Sequence, residues 1–470
     1  MTPTPSSPAA DPPTPTGGGT AIPPARTAPA KVIGATVLGT TIEWYDFAIF
    51  VFAAAVVFPT VFFPTLSPGT GVLSSFATLA IAAIARPLGA LIFGHIGDSI
   101  GRRRALILSM VLMSSATVAI GLVPGFGSIG WFAPAILLTL RIVQSVAVGG
   151  EWGGAVAYAV ESAPPRWRAV FGSFPQIGNS LGLFLASAII TLIARDSEWF
   201  IAFGWRIPFF VAGVFGVAGI ILRLIIDESP EFVAARRLEE QTRSEVVKDR
   251  PLIELFRTES GLVLQAAGAF LATIGCIYIS LTYVSAYAAN NLNVEPRIIS
   301  ISTNLVSVAT IIIVIVSAVA GDKFGVRRVT LIGLFLPMVI AFPMFWILTQ
   351  GGFGGVFGAM MLGNLASSVA YATIGTMVAG WFPARVRQSG LSLAYQIAGV
   401  VGSFMLVFAQ LLEVEFGGWV PAAILFFLLG LLSWLCALLY RDKDRLGEVL
   451  QNTPSGPEGS TATDDSIRKS

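Results

Sequence analysis

Residues 72–123 read VLSSFATLAIAAIARPLGALIFG, then HIGDSIGRRR, then ALILSMVLMSSATVAIGLV. A helix needs about 20 mainly apolar residues to cross the hydrocarbon core of a bilayer, and it satisfies every backbone polar group internally. Two such runs, 72–94 and 105–123, flank a polar segment with one acid and three consecutive arginines. That is the pattern of a transmembrane hairpin whose loop lies on the positively charged side. Working outward, the same reading gives twelve runs: 33–58, 72–94, 105–123, 133–160, 170–194, 206–226, 262–288, 298–320, 328–348, 354–379, 389–411 and 419–440. The fourth and tenth are the least clean, and an eleven-span reading would put the chain ends on opposite sides. Composition agrees with a membrane protein. Charged residues are 12% of the 470, against about 25% in soluble chains, too few to cover a soluble surface of that size.

The residue inventory excludes several chemistries. Five lysines occur (Lys31, Lys248, Lys323, Lys443, Lys469), none after a glycine-rich turn, so no phosphate-cradling loop is present. A lone histidine, His95, excludes a His-rich metal site and leaves little room for a Ser-His-Asp hydrolase. Cys276 and Cys436 sit in apolar runs and read as small core residues. We therefore expect no catalytic residue, no metal and no cofactor, with energy drawn from an ion gradient. Nothing points to nucleic acid or to an obligatory protein partner.

Positive charge sets the expected orientation. With the N-terminus inside, 24 of 29 Lys and Arg fall on the cytoplasmic side, seven of them assigned to the central loop. Only Arg195, Arg206 and Arg297 fall outside, and Arg86 and Arg141 lie within spans. The expected organisation is a disordered tail (1–30), a six-helix bundle (31–226), a cytoplasmic loop (227–260), a second six-helix bundle (261–440) and a cytoplasmic tail (441–470). The first tail has no apolar h-region and is not a signal peptide.

Two patterns recur at nearly one offset. Asp98-x-x-Gly101-Arg102-Arg103 returns as Asp322-x-x-Gly325-Val326-Arg327, 224 residues on, and Pro164-x-Arg166-x-Arg168 as Pro383-x-Arg385-x-Arg387, 219 residues on. A duplicated six-helix unit around a midplane site is the sequence sign of a secondary transporter. The stretch from Gly94 through Asp98 and Gly101 to Arg103 resembles the signature loop of the major facilitator superfamily. Glu43-Trp44-Tyr45-Asp46-Phe47, Arg86-Pro87-Leu88-Gly89, Gly149-Gly150-Glu151-Trp152-Gly153-Gly154, Gly204-Trp205-Arg206-Ile207-Pro208-Phe209 and Glu228-Ser229-Pro230-Glu231-Phe232 resemble its metabolite–proton symporter branch. That branch includes carriers of shikimate, citrate, 2-oxoglutarate and proline or betaine. The resemblance implies the twelve-helix major facilitator fold and a chain that works as a monomer. Ser145 departs from the usual glycine of Arg-x-x-Gln-Gly.

Ionisable groups at membrane depth are expensive and mark function by default. Five stand out, all in the first half: Glu43, Asp46, Arg86, Arg141 and Glu151. Spans seven to eleven offer only neutral polar groups, such as Tyr278, Asn364, Tyr371 and Gln396. Glu43 and Asp46 share a helix face, and keeping both charged in a low-dielectric cavity is costly, so one is expected to take up a proton. The alternative is a permanent pair with Arg86 or Arg141. Asp46, Glu43 and Glu151 are the proton-coupling candidates. Arg141, whose planar fork suits a carboxylate, leads the substrate set with Gln144, Tyr45, Arg86, Gln176 and Asn179. Glu151 lies about 15 Å along the helix from Arg141, so it needs another partner, for which Arg86 is the candidate. For Gln176 and Asn179, interhelical bonding competes with substrate contact. Gly94, Asp98, Gly101, Arg102, Arg103, Asp322 and Arg327 form an expected latch bridging to neighbouring helix ends when the inner side is closed.

These readings converge on proton-coupled uptake of a small polar metabolite at the cell membrane, most simply an organic acid such as a shikimate-like carboxylate. The alternative is a proline- or betaine-type solute. An intramembrane enzyme lacks a dyad or metal set, and a receptor has no need of buried cavity charges. Orientation is directly testable: single cysteines placed in the 441–470 tail should react with a membrane-impermeant maleimide only after cells are opened. Labelling from outside intact cells would overturn it.

Overall fold

The computed structural model describes residues 29–66, 68–193, 197–225, 259–384 and 386–440, together with Glu228, Val233, Leu255 and Arg257. The expectations for the two tails and most of the central loop lie outside these residues. Among the described residues, twelve helices are long and apolar enough to cross a membrane. The first six are α1 (Pro29–Val56), α2 (Pro68–Ile100), α3 (Arg102–Leu122), α4 (Phe132–Ser162), α5 (Arg168–Ile193) and α6 (Ile207–Ile225). The second six are α7 (Ser260–Ala289), α8 (Pro296–Phe324), α9 (Val326–Leu348), α10 (Gly352–Ala379), α11 (Arg387–Phe416) and α12 (Val420–Leu438). The tenth run is a full helix, so the twelve-span reading holds. An even number of crossings returns both ends to one side, here called the tail side.

Two helices are irregular. α4 breaks at Gly150 into Phe132–Gly149 and Glu151–Ser162. α7 carries a π turn over Tyr278–Tyr283, a widening often found at functional sites. Large apolar side chains such as Ile84, Val214, Ile312 and Trp346 remain exposed, as a lipid-facing surface allows.

Small residues bring the helices together, because lipid supplies no hydrophobic drive between them. A Cβ on Gly178 would stand 2.6 Å from the Val37 carbonyl oxygen, and one on Gly182 2.7 Å from the Tyr45 nitrogen, which locks α5 onto α1. Gly149 abuts the Arg86 carbonyl of α2 and Gly333 the Ala370 backbone of α10. Gly149, Gly178 and Gly182 thus each sit at a close interhelical approach.

Between the halves, α2 packs on α11, α5 on α8 and α10, and the second part of α4 on α11. The approach is closest on the tail side. A Cβ on Gly94 would lie 2.7 Å from Ser389 Cα, and one on Gly153 2.7 Å from the Ser392 nitrogen. The molecule is therefore shut on the tail side. Gly94→Val is expected to hold the tail side ajar. A Ser392→Cys reporter should then react with a hydrophilic maleimide about tenfold faster than in the Gly94 background, reading the population shift.

Candidate functional site

Burial at membrane depth demands that each charge find compensation, and the first half meets that demand in one cavity. The cavity is lined by Glu43, Trp44, Asp46 and Phe47 from α1, Arg86 from α2, and Arg141, Gln144, Ser145 and Val148 from α4. The second half contributes Tyr278, at the start of the π turn.

Asp46 is 3% exposed, and its carboxylate is held by neutral donors. The Thr117 hydroxyl donates to Oδ2, and Gln144 Nε2 donates to the same oxygen at 2.7 Å and lies 2.6 Å from Thr117 Oγ1. Oδ1 is buried with no partner. Arg141 Nη1 donates to Gln144 Oε1, and its guanidinium lies over the Phe50 ring at 4.1 Å. Among the described residues Arg141 makes no ion pair with Asp46; the Gln144 amide stands between them and transmits the charge. Arg86 rests 5.8 Å from the Phe47 ring centroid and makes neither an ion pair nor a hydrogen bond among the described residues. Glu43 Oε2 is buried without a partner. The cavity therefore offers one free guanidinium, one tethered guanidinium and two incompletely satisfied carboxylates.

Three expected site residues lie elsewhere. Tyr45 is fully buried, donates to the Pro208 carbonyl at 3.0 Å and packs edge-on against Phe215, so it faces α6 and not the cavity. Gln176 donates to the Tyr371 carbonyl across the halves at 3.1 Å, the interhelical alternative. Asn179, half-buried, is not a lining residue. The Glu151–Arg86 pairing also fails. Glu151 accepts from Arg223 Nη2 at 2.6 Å, and both side chains are buried. One of the seven cations assigned to the central loop is Arg223, which is instead 1% exposed inside α6.

Of the residues expected to form a latch, Asp98, Arg102 and Asp322 reach the opposite half, while the others hold their own half or supply backbone room. Asp98 and Asp322 lie within the last turns of α2 and α8, so the connection to the next helix shrinks to Gly101 and Gly325, with φ of 127° and 101°. Only glycine reaches such angles without strain. Asp98 accepts from the Gln388 and Ser389 backbone N–H groups at 3.1 and 2.8 Å, and Asp322 from those of Ala169 and Val170 at 2.8 and 3.0 Å. Each half thus caps the N-terminus of a helix in the other, α11 and α5. Arg102 pairs with Asp98 and reaches the Ala384 carbonyl at 2.5 Å, while Glu161 accepts from Arg387 at 2.9 Å. Gly94 supplies the close approach. Arg103 and Arg327 do not cross the seam. Arg103 bonds the Arg223 and Leu224 carbonyls, and Arg327 the Leu438 and Tyr440 carbonyls, gripping the ends of α6 and α12 in their own halves.

Sequence reading missed Thr117, Glu161, Arg223 and a third repeat. Gln176-Ile177-Gly178 returns 220 residues on as Gln396-Ile397-Ala398, and Gln396 donates to the Gly149 carbonyl at 3.1 Å as Gln176 does to Tyr371.

Residues 31–445 match the family described as sugar (and other) transporters. The chain belongs to that family, within the major facilitator superfamily. The transporter is 35% identical to the shikimate transporter of Escherichia coli (strain K12) over 385 residues, 81% of this chain and 87% of that one. It is 30% identical to the proline/betaine transporter of the same strain over 339 residues, 71% and 68% of the two chains. Among solved structures, the proton:xylose symporter XylE bound to 6-bromo-6-deoxy-D-glucose shares its fold, with a TM-score of 0.67 at 20% identity over 87% of this chain and 94% of that one. The transporter is a membrane protein that carries small molecules, and not an enzyme, as its family and relatives are.

Asp98→Asn leaves the cavity untouched and replaces a charged cap by a neutral one, a change worth about 1–2 kcal/mol. It is expected to slow transport severalfold while substrate binding at equilibrium stays within about threefold of wild type. Binding weakened more than about tenfold in a folded variant would show instead that Asp98 shapes the cavity.

Proposed function

We propose that the transporter takes up a small organic acid, such as a shikimate-like carboxylate, together with a proton, by alternating access. In this reading the tail side is cytoplasmic, the membrane is the cell membrane, and the closed seam belongs to an outward-facing state. One observation carries it. Arg86, half-buried beside the Phe47 ring and Glu43 and without a hydrogen bond or ion pair among the described residues, shares the cavity with Asp46, a buried carboxylate that has neutral donors and no cation in direct contact. A free guanidinium suits a carboxylate ligand, and an incompletely compensated carboxylate suits a proton.

The cycle runs as follows. Protonation of Asp46 removes the charge that Gln144 relays to Arg141, so Arg141 joins Arg86 in holding the substrate anion. Proton and anion together add no net charge to the cavity and leave its individual charges paired, and the halves rock. Release on the cytoplasmic side restores the Asp46–Gln144–Arg141 chain. Glu43 adds a second carboxylate one turn away.

A second reading, a proline- or betaine-type solute, is favoured by Trp44, which lines the cavity where its ring would meet a quaternary ammonium group. A thermal-shift screen of the purified protein against organic acids, amino acids and betaines separates the two.

Asp46→Asn is expected to abolish pH-driven accumulation in proteoliposomes while counterflow of internal for external substrate continues. Uphill uptake by Asp46→Asn in response to a pH gradient would remove Asp46 as the coupling group.

A further inference from the structure

We infer that Glu151 is the point from which the coupled proton leaves the protein toward the tail side, with Arg223 as the residue that positions and discharges it. The inference rests on the proton-symport reading above and extends it from the cavity to the exit.

The argument begins with α1. Asp46 and Glu43 are three residues apart, and Gly39 is one turn further toward the tail side. A Cβ on Gly39 would lie 3.3 Å from Glu151 Oε1 and would collide with the Arg223 guanidinium. The absence of a side chain at 39 is therefore what lets the Glu151–Arg223 pair press against α1. Three carboxylates consequently stand at the levels of residues 46, 43 and 39, a column about 10 Å long by helix rise. It starts in the cavity and points to the tail side.

The carboxylates at the two lower levels each have an open acceptor. Glu151 is fully buried, with Oε1 taken by Arg223 and Oε2 without a partner. Glu43 Oε2 is likewise buried and partnerless. A buried acceptor with nothing to accept is costly, and a proton passed between the two carboxyl groups relieves it. The charged groups bearing on this column are Arg223 from α6, Glu43 and Asp46 from α1, Arg86 from α2 beside Glu43 and Arg141 from α4 near Asp46. α3 presents the Leu106 carbonyl, and α11 the neutral side chains of Ser392 and Gln396.

Arg223 is fixed independently of Glu151. Its Nη1 donates to the Leu106 carbonyl at 2.5 Å, and its own carbonyl accepts from Arg103 Nε at 3.0 Å. It stays in place when Glu151 is neutral and waits as counter-charge for the carboxylate that returns.

The conformational link lies in the break of α4. Glu151 is the first residue after it. The two carbonyls before Glu151 are bonded by the opposite half: Gly149 by Gln396 at 3.1 Å and Gly150 by Ser392 at 3.4 Å. The residue after it, Trp152, stacks on Tyr395 of α11 at 3.7 Å. Every one of these contacts exists only while the tail side is shut, and parting the halves unseals the chain on both sides of Glu151. The step is then a simple proton relay. The proton moves from the Glu43 carboxyl to Glu151 Oε2, and after opening it passes to water on the tail side. The Glu151 carboxylate re-forms its ion pair with Arg223.

The test uses the full chain in proteoliposomes with labelled shikimate, measuring pH-driven uptake as a function of internal pH beside counterflow at equal pH. Glu151→Gln is expected to lose about tenfold or more of pH-driven uptake and its dependence on internal pH, while counterflow persists. Because Glu151→Gln leaves Arg223 buried and unpaired, the double variant Glu151→Gln/Arg223→Gln restores a neutral pair and guards against misfolding. It is expected to exchange shikimate and still fail to accumulate it. If the double variant accumulates shikimate with the wild-type response to internal pH, the pair is only a structural bridge and the inference is overturned. Wild-type chain that shows no pH-driven shikimate uptake would overturn the organic-acid reading itself, and the inference with it. Uphill uptake retained by Asp46→Asn but lost in Glu151→Gln would overturn the Asp46 assignment and leave Glu151 standing.

Discussion

The first N–H groups of a helix have no partner within it, and at the tail side of this transporter two helices obtain theirs from the opposite half. Asp98 serves α11 and Asp322 serves α5. The closed state depends on these two carboxylates, because without them the tightest part of the seam would bury unsatisfied donors. The bonds sit at the membrane edge, where water can take over either end once the halves separate. A charge-assisted bond exchanged for hydration nets only about 1.5–3 kcal/mol. Closure is firm and reversible for the same reason.

That seam gives the cavity its meaning. With the tail side shut, the charged groups that line the cavity among the described residues come from α1, α2 and α4, and the second half meets them with Tyr278. The two halves have one fold and different chemistry: one handles charge and the other supplies walls. Gln144 is the pivot of the charged side, since a single amide accepts from Arg141 and donates to Asp46. An amide cannot ionise, so it passes on the state of its neighbours without holding a charge of its own.

The architecture was legible from hydropathy, because twelve apolar runs of sufficient length have few other solutions. The latch was legible from the Asp98 and Asp322 repeats, since the same local chemistry recurs at the same place in each half. The cavity was legible only in part. Glu43, Asp46, Arg86 and Arg141 announced themselves as charges in apolar helices, whereas Thr117 is one of many hydroxyls in the spans and nothing in the sequence distinguishes it. Tyr45 and Asp46 are adjacent, and a helix turns adjacent residues about 100° apart; the motif that contains both cannot say which one faces inward. Arg223 was misplaced because a cation near a helix end ordinarily snorkels to water. Here the Gly39 gap and the Glu151 carboxylate draw it inward instead.

Duplication has left the two fastenings unequal. Behind Asp98 stands Arg102, which also holds Ala384 from the facing half; at the matching place behind Asp322 the chain has Val326. A clasp backed by a cation and a clasp without one do not yield together under the same pull. The α5–α8 corner holds its helix end by a carboxylate alone, without the Arg102 that backs Asp98 at the α2–α11 corner. The same cap recurs in both halves, and the duplicated plan has kept its cation in one copy and lost it in the other.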